Sequence, residues 1–70
     1  MVFLTEEDKN FIKAKLPDAE QVLASNDVND VLDSIADWIS INGFAPPHYY
    51  DYNDLGREAQ RVHDRIFRNN

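Results

Sequence analysis

Cysteine is absent from this 70-residue chain. That removes disulfides and thiolate zinc sites as stabilisers, and it gives no sign of an oxidising compartment. Apolar runs are short, far below the ~20 residues needed to cross a bilayer. The start, MVFLTEEDKN, has neither a basic leader nor a long apolar segment, so a soluble cytoplasmic protein without membrane contact is expected. Positive charge is missing over a long stretch: residues 17 to 54 hold eight Asp and Glu and no Lys or Arg. Residues 1 to 16 balance to zero, residues 55 to 70 carry a surplus of two positive charges, and the whole chain is at −6. Only two glycines and three prolines are present, so helices can run between few breakers. No repeat or low-complexity segment occurs.

A chain this short makes one domain, spanning residues 1 to 70, and buries only about 60% of the surface its unfolded form exposes. Without disulfides, tight helix packing must supply the stability. The clearest element is Asp27 to Gly43, DVNDVLDSIADWISING. At 100° per residue Val28, Val31, Leu32, Ile35, Ala36 and Ile39 share one arc, while Asp27, Asp30, Asp33 and Asp37 share the opposite one. Asn26 or Asp27 caps its start, and Gly43 is expected to end it in the left-handed conformation, with Phe44 folding back on Ile39. Pro46 and Pro47 prevent continuation. Trp38 lies at the edge of the apolar arc and Ile41 among the acids.

Thr5, followed by Glu6, Glu7 and Asp8, predicts a first helix from about Glu6 to Lys15, with Asp8 where a capping box has Glu or Gln. Pro17 ends it and is expected to open a short helix to Ala24 that turns Ala19, Val22 and Leu23 inward. The last helix is predicted from Asp54 to Arg68, capped by Asn53 or Asp54, with Leu55, Ala59, Val62 and Ile66 inward and His63 and Phe67 flanking them. Arg57, Arg61, Arg65 and Arg68 form a stripe on its far side. The fold class is all-α: a small bundle of three longer helices and one short helix, with an aromatic-rich loop, FAPPHYYDYN, before the last helix. Val28, Val31, Leu32, Ile35, Ile39, Leu55, Val62 and Ile66 form the expected core.

Two readings of the aromatic loop stand. In the leading one, Phe44 and some of Tyr49, Tyr50 and Tyr52 fold over the core and cover Trp38 and Ile41. In the other, the tyrosines stay exposed beside Trp38 as a recognition patch.

Chemistry is sparsely provided. DYNDLG from Asp51 has acid, Asn and Gly at the first, third and sixth positions of a calcium loop, but Leu55 stands at the fifth and Val62 where the bidentate Glu belongs. His48 and His63 lack ligand-spaced partners. Ser25, Ser34, Ser40 and Thr5 are accounted for by caps and helix surfaces, and Asp30, Asp33 and Asp37 read as a solvated face. No enzyme activity, metal or cofactor is expected.

The stretch YNDLGREAQRVHDRI resembles the Tyr…Leu-Thr-x-x-Gly-Arg segment that opens the helix after the wing in winged-helix regulators. Asn53 and Asp54 replace its Leu-Thr, and no strand-rich hairpin precedes it, so DNA binding is not inferred. The overall layout resembles short acidic helical proteins of bacteria and phages: a TEED-type start, an Asp-rich central helix, a Tyr-rich loop and an NDLGREAQRVHDRIF ending. That resemblance implies a fold and no activity.

The function expected is that of an interaction module for another protein, with self-association into a homodimer as one form. Its candidate residues are Asp30, Asp33, Asp37, Trp38, Ile41, Tyr49, Tyr50, Tyr52, Arg57, Arg61, Arg65 and Arg68. The rival expectation is an acidic nucleic-acid mimic that occupies the basic groove of a DNA- or RNA-binding protein.

Overall fold

Three of the four helices begin where the sequence offers a side chain to an unpaired backbone N–H. Residues 2–44 and 51–70 are described in the computed structural model. Thr5 starts α1 (Glu6–Lys15) with a reciprocal capping box: the Asp8 N–H donates to Thr5 Oγ1 at 3.1 Å, and the Thr5 N–H donates to Asp8 Oδ2 at 3.0 Å. Helix α2 (Ala19–Ala24) begins two residues later than Pro17 suggested. Asp18, at φ −104° and ψ 31°, is off helical geometry, and the first helical bond runs from the Val22 N–H to the Asp18 carbonyl. Asp27 caps α3 (Val28–Asn42) by accepting the Asn29 N–H at 2.9 Å. Asn53 caps α4 (Asp54–Asn69) by accepting the Gly56 N–H at 2.7 Å.

Among the described residues these four helices are the regular structure, so the all-α expectation holds, with three longer helices and one short one. They pack in a ring: α1 touches α2 and α4, α3 touches α2 and α4, and neither diagonal has backbone contact. The radius of gyration, 11.8 Å, is close to the ~11 Å of a compact chain this long.

The core runs through all four helices. Phe11, Ile12, Leu16, Val22, Val31, Leu32, Ile35, Ile39, Ala59, Val62 and Ile66 are buried. Two residues of the expected core differ: Val28 is only half-buried, and Leu55 stays 39% exposed. Gly56 takes the inward place at the start of α4 because nothing larger fits there. A Cβ on Gly56 would sit 2.0 Å from the Gly43 carbonyl oxygen. Leu55, in the first turn of α4, stays at the rim, while Ala59, Val62 and Ile66 further along the same face are buried as expected.

Gly43 also departs from expectation. Its φ of −95° and ψ of 2° are not left-handed, and its N–H donates to the Ile39 carbonyl at 2.7 Å. The requirement here is closeness: a Cβ on Gly43 would meet the Ile39 oxygen at 2.8 Å and the Gly56 Cα at 3.1 Å. The chain leaves α3 through Phe44, which packs against the core and forms one antiparallel bridge with Tyr52.

Candidate interaction surface

On α3 the 4-3-4 spacing of Asp30, Ser34, Asp37 and Ile41 places the four in one column, pointing away from the buried face, and Asp33 stands beside it. The three acids are exposed and Ile41 is 81% exposed. Asp18, from the turn before α2, comes to the same groove, its Oδ2 lying 3.4 Å from the Ser34 hydroxyl. Among the described residues none of these carboxylates has a Lys, Arg or His partner. Like charges three and four residues apart cost a helix about 0.2–0.5 kcal/mol per pair, so this face does nothing for the stability of α3.

The arginines divide. Arg57, Arg61 and Arg68 are exposed on the outer face of α4, where Arg57 reaches only Asp54, at 3.6 Å. Arg65, with its side chain 29% exposed, instead pairs within the molecule. Its Nε donates to Asp8 Oδ1 at 2.7 Å, its Nη2 lies 2.6 Å from the same oxygen, and its Nη1 lies 3.3 Å from Glu7 Oε2. Asp8 is completely buried. The hydrogen bond to Asp8 is the main cause that holds the Arg65 guanidinium above its ordinary pKa, against the opposing effect of burial. Arg65 is therefore engaged with Asp8 and Glu7 within the molecule.

The two described aromatic candidates, Trp38 and Tyr52, each pack on another ring. Trp38 is half-buried and meets Phe11 of α1 edge-to-face, with ring centroids 5.6 Å apart at 81°. Tyr52 stacks on Phe44 with centroids 5.1 Å apart, and its hydroxyl donates to Gln60 Oε1 at 3.2 Å. Tyr49 and Tyr50, and with them most of the expected lid, lie outside the described residues. The described part of the cover on Trp38 is Phe11, not the loop, and Ile41 is not covered.

The described candidates thus do not converge on one site. Asp30, Asp33 and Asp37 share the α2–α3 edge, with Ile41 exposed further along α3, while Arg57, Arg61 and Arg68 share the outer face of α4. Phe67, expected to flank the core, is 67% exposed beside Arg61 and Arg68, and Phe3 is exposed as well. The sequence held a signal for Phe67: it lies 100° from Ile66, at the border of the apolar arc, and only packing decides such a residue.

Between α1 and α4 runs an open groove of about 440 Å³ with Phe11 and Val62 in its floor and Lys15, Glu58 and Arg61 on its walls. Its charges alternate in sign, so it concentrates no field on one ligand type. Among the described residues no three His, Asp or Glu are grouped to hold a metal ion, and no helix is long and apolar enough to cross a membrane. No family model, curated protein or solved structure matches the chain.

Proposed function

We propose that this chain is a non-enzymatic protein-interaction module whose docking surface is the α2–α3 edge and whose partner presents a basic surface. The observation that carries the reading is the distribution of charge in space. Asp18, Glu20, Asp27, Asp30, Asp33 and Asp37 are all exposed on α2, α3 and their caps, with no cation of those elements among them. Such a concentration of like charge opposes folding slightly and favours encounter with a positive partner strongly. Ile41, at the end of the acidic column, adds an apolar contact of the kind that lengthens a complex's lifetime.

The test is an amide chemical-shift titration with an arginine-rich peptide at low and raised salt. The expected result is that shifts gather on the outer face of α3, weaken with salt, and vanish in the triple variant D30N/D33N/D37N. Shifts that gather on α1 or α4 would overturn the assignment.

A nucleic-acid mimic is the second reading. It is favoured by the placing of Arg57, Arg61 and Arg68 on α4, where they do not interrupt the carboxylates of α2 and α3. A mimic displaces short duplex DNA from a lysine-rich peptide, and the triple Asn variant loses that ability. An interaction module of the first kind binds the peptide without matching the duplex as a competitor.

A further inference from the structure

The outer face of α4 is built on the same spacing as the outer face of α3. Arg57, Arg61, Asp64 and Arg68 follow one another by four, three and four residues, as do Asp30, Ser34, Asp37 and Ile41. Each column is therefore one straight line along its helix, about 16 Å long at ~1.5 Å per residue. Laid antiparallel, the two columns are complementary at three of their four positions. Asp30 meets Arg68 and Asp37 meets Arg61, while Asp64, which accepts from Gln60 Nε2 at 2.9 Å, faces Ser34. Ile41 lies on the aliphatic stem of Arg57, an arrangement that long cationic side chains commonly make with apolar surface. Among the described residues no ion pair joins these two columns within the molecule.

We propose that the occupant of the α3 face is the α4 face of a second copy of this chain, in that antiparallel register. The proposal rests on the reading of the α3 face as a docking surface and names its partner.

The ring of helices dictates the kind of assembly. The acidic column opens toward α2, whereas Arg61 lines the groove between α4 and α1, on the other side of the ring. A two-fold dimer needs both faces on one side, so that each copy gives and receives. Faces on opposite sides make a head-to-tail contact instead, which leaves one face free at each end and grows into open chains.

Exposed ion pairs are individually weak, so association belongs to concentrations on the order of 1 mM. Its salt dependence has two arms. At very low salt the net charge of −6 on each copy repels over long range. Near physiological salt that repulsion is screened beyond ~8 Å while the facing columns still attract, and at high salt the attraction is lost too.

The experiment is solution mass by light scattering across protein concentration at several salt concentrations, on the wild-type chain and on two variants. D30N/D37N removes the acidic column and R61Q/R68Q the basic one, all at exposed positions, with circular dichroism to confirm that both fold. The expected wild-type result is a mass that keeps rising with concentration, most steeply at intermediate salt. Each variant alone stays monomeric, and a mixture of the two stops at a one-to-one pair, because each supplies one working face. A wild-type mass that levels off at two copies overturns the head-to-tail assignment, and a monomer at every concentration overturns the second copy as occupant. The arginine-peptide titration on the same sample separates the two levels of the argument. Retained peptide binding by a monomeric chain leaves the α3 face as a docking surface with another partner, whereas loss of both removes that reading as well.

Discussion

Asp8 divides its two oxygens between neighbours that lie at opposite ends of the sequence. Oδ2 accepts the Thr5 N–H and closes the cap of α1, while Oδ1 accepts from Arg65, which stands 57 residues away on α4. A carboxylate with no exposed surface tolerates burial only when it is paired and hydrogen-bonded, because unpaired buried charge is strongly unfavourable. Arg65→Met keeps most of the side-chain volume and removes the pairing. The expected outcome is a loss of about 3–5 kcal/mol, read as a lowered urea midpoint with an unchanged slope. Asp8→Asn retains an acceptor for Thr5 and removes the charge itself, so it should cost less than R65M. The reverse order would overturn the view that an unpaired buried carboxylate sets the cost. The cap half of this arrangement was legible, since Thr5 and Asp8 are three residues apart. The burial was not, because Arg65 shares its spacing with three outward arginines and nothing local sets it apart. Gly56 is a second residue whose role only packing reveals. Gly56→Ala places a methyl against the backbone of Gly43, which cannot swing aside as a side chain would, and the expected cost is at the upper end of the usual 1–3 kcal/mol for overpacking, or beyond it. A thermal midpoint within a degree or two of wild type would sink this account of the α3–α4 joint.

At the scale of elements, the joint between α3 and α4 depends on Asn53. Its Oδ1 accepts the Gly56 N–H at the start of α4, and its Nδ2 donates to the Asn42 carbonyl at 2.8 Å, at the end of α3. Its own N–H donates to the Gly43 carbonyl at 2.9 Å. One side chain thus satisfies an orphan donor of one helix and an orphan acceptor of the other. Two substitutions separate these roles. Asn53→Asp keeps the cap acceptor and loses the donor, whereas Asn53→Ala loses both. Loss of the cap alone costs about 0.5–2 kcal/mol, so N53A should be less stable than N53D by about that amount. Equal effects would mean that the bond to α3 contributes everything. The contrast between this joint and the helices it connects shows what a sequence can carry. Helix positions followed from period and capping residues, and α1, α3 and α4 lie within a residue or two of their expected bounds. The short second helix was displaced because Pro17 suits a first turn in general, while here the chain is still turning at Asp18. The exposure of Leu55 at the start of α4 was not legible either. Leu55 and Gly56 are adjacent, and hydrophobicity favours turning Leu55 inward, but the contact with Gly43 leaves room only for Gly56. On the candidate surface, the acids of α3 could be placed from periodicity because no other residue competes for them. The arginines could not all be assigned, because pairing with a buried acid is a tertiary event.

For the molecule as a whole, the ring of four helices is unevenly tied. Helices α3 and α4 share the most extensive contact, centred on Ile35, Ile39, Val62 and Ile66 and closed at one end by the two glycines. Helix α1 is bound to α4 by Asp8 with Arg65, and the segment before it is held by Asn70, whose side chain accepts the Phe3 N–H at 2.8 Å and donates to the Phe3 carbonyl at 2.9 Å. Helix α2 has six residues, a single buried side chain in Val22, and no cap hydrogen bond from Asp18. Helices this short are not stable alone and depend on the surfaces they cover. Local opening follows such differences, since segments with few buried contacts exchange their amide hydrogens without global unfolding. Native-state hydrogen exchange is therefore expected to rank the helices. The amides of α2 exchange first, those of α1 next, and those around Ile35, Ile39, Val62 and Ile66 exchange only with global unfolding. R65M should move α1 toward the fast class and leave the α3–α4 pair the slowest. Protection of α2 equal to that of α4 would mean that the ring opens as one unit. The ranking also bears on the docking surface. The acidic column stands on α3, in the most protected pair, while its neighbour Asp18 belongs to the part that opens first. A partner that contacts only the column binds a surface already formed, and its binding should leave exchange in α2 unchanged. A partner that also contacts Asp18 must hold α2 in place, and should slow exchange there by the same factor by which closure is favoured. Measuring α2 exchange with and without the arginine peptide decides between these two footprints.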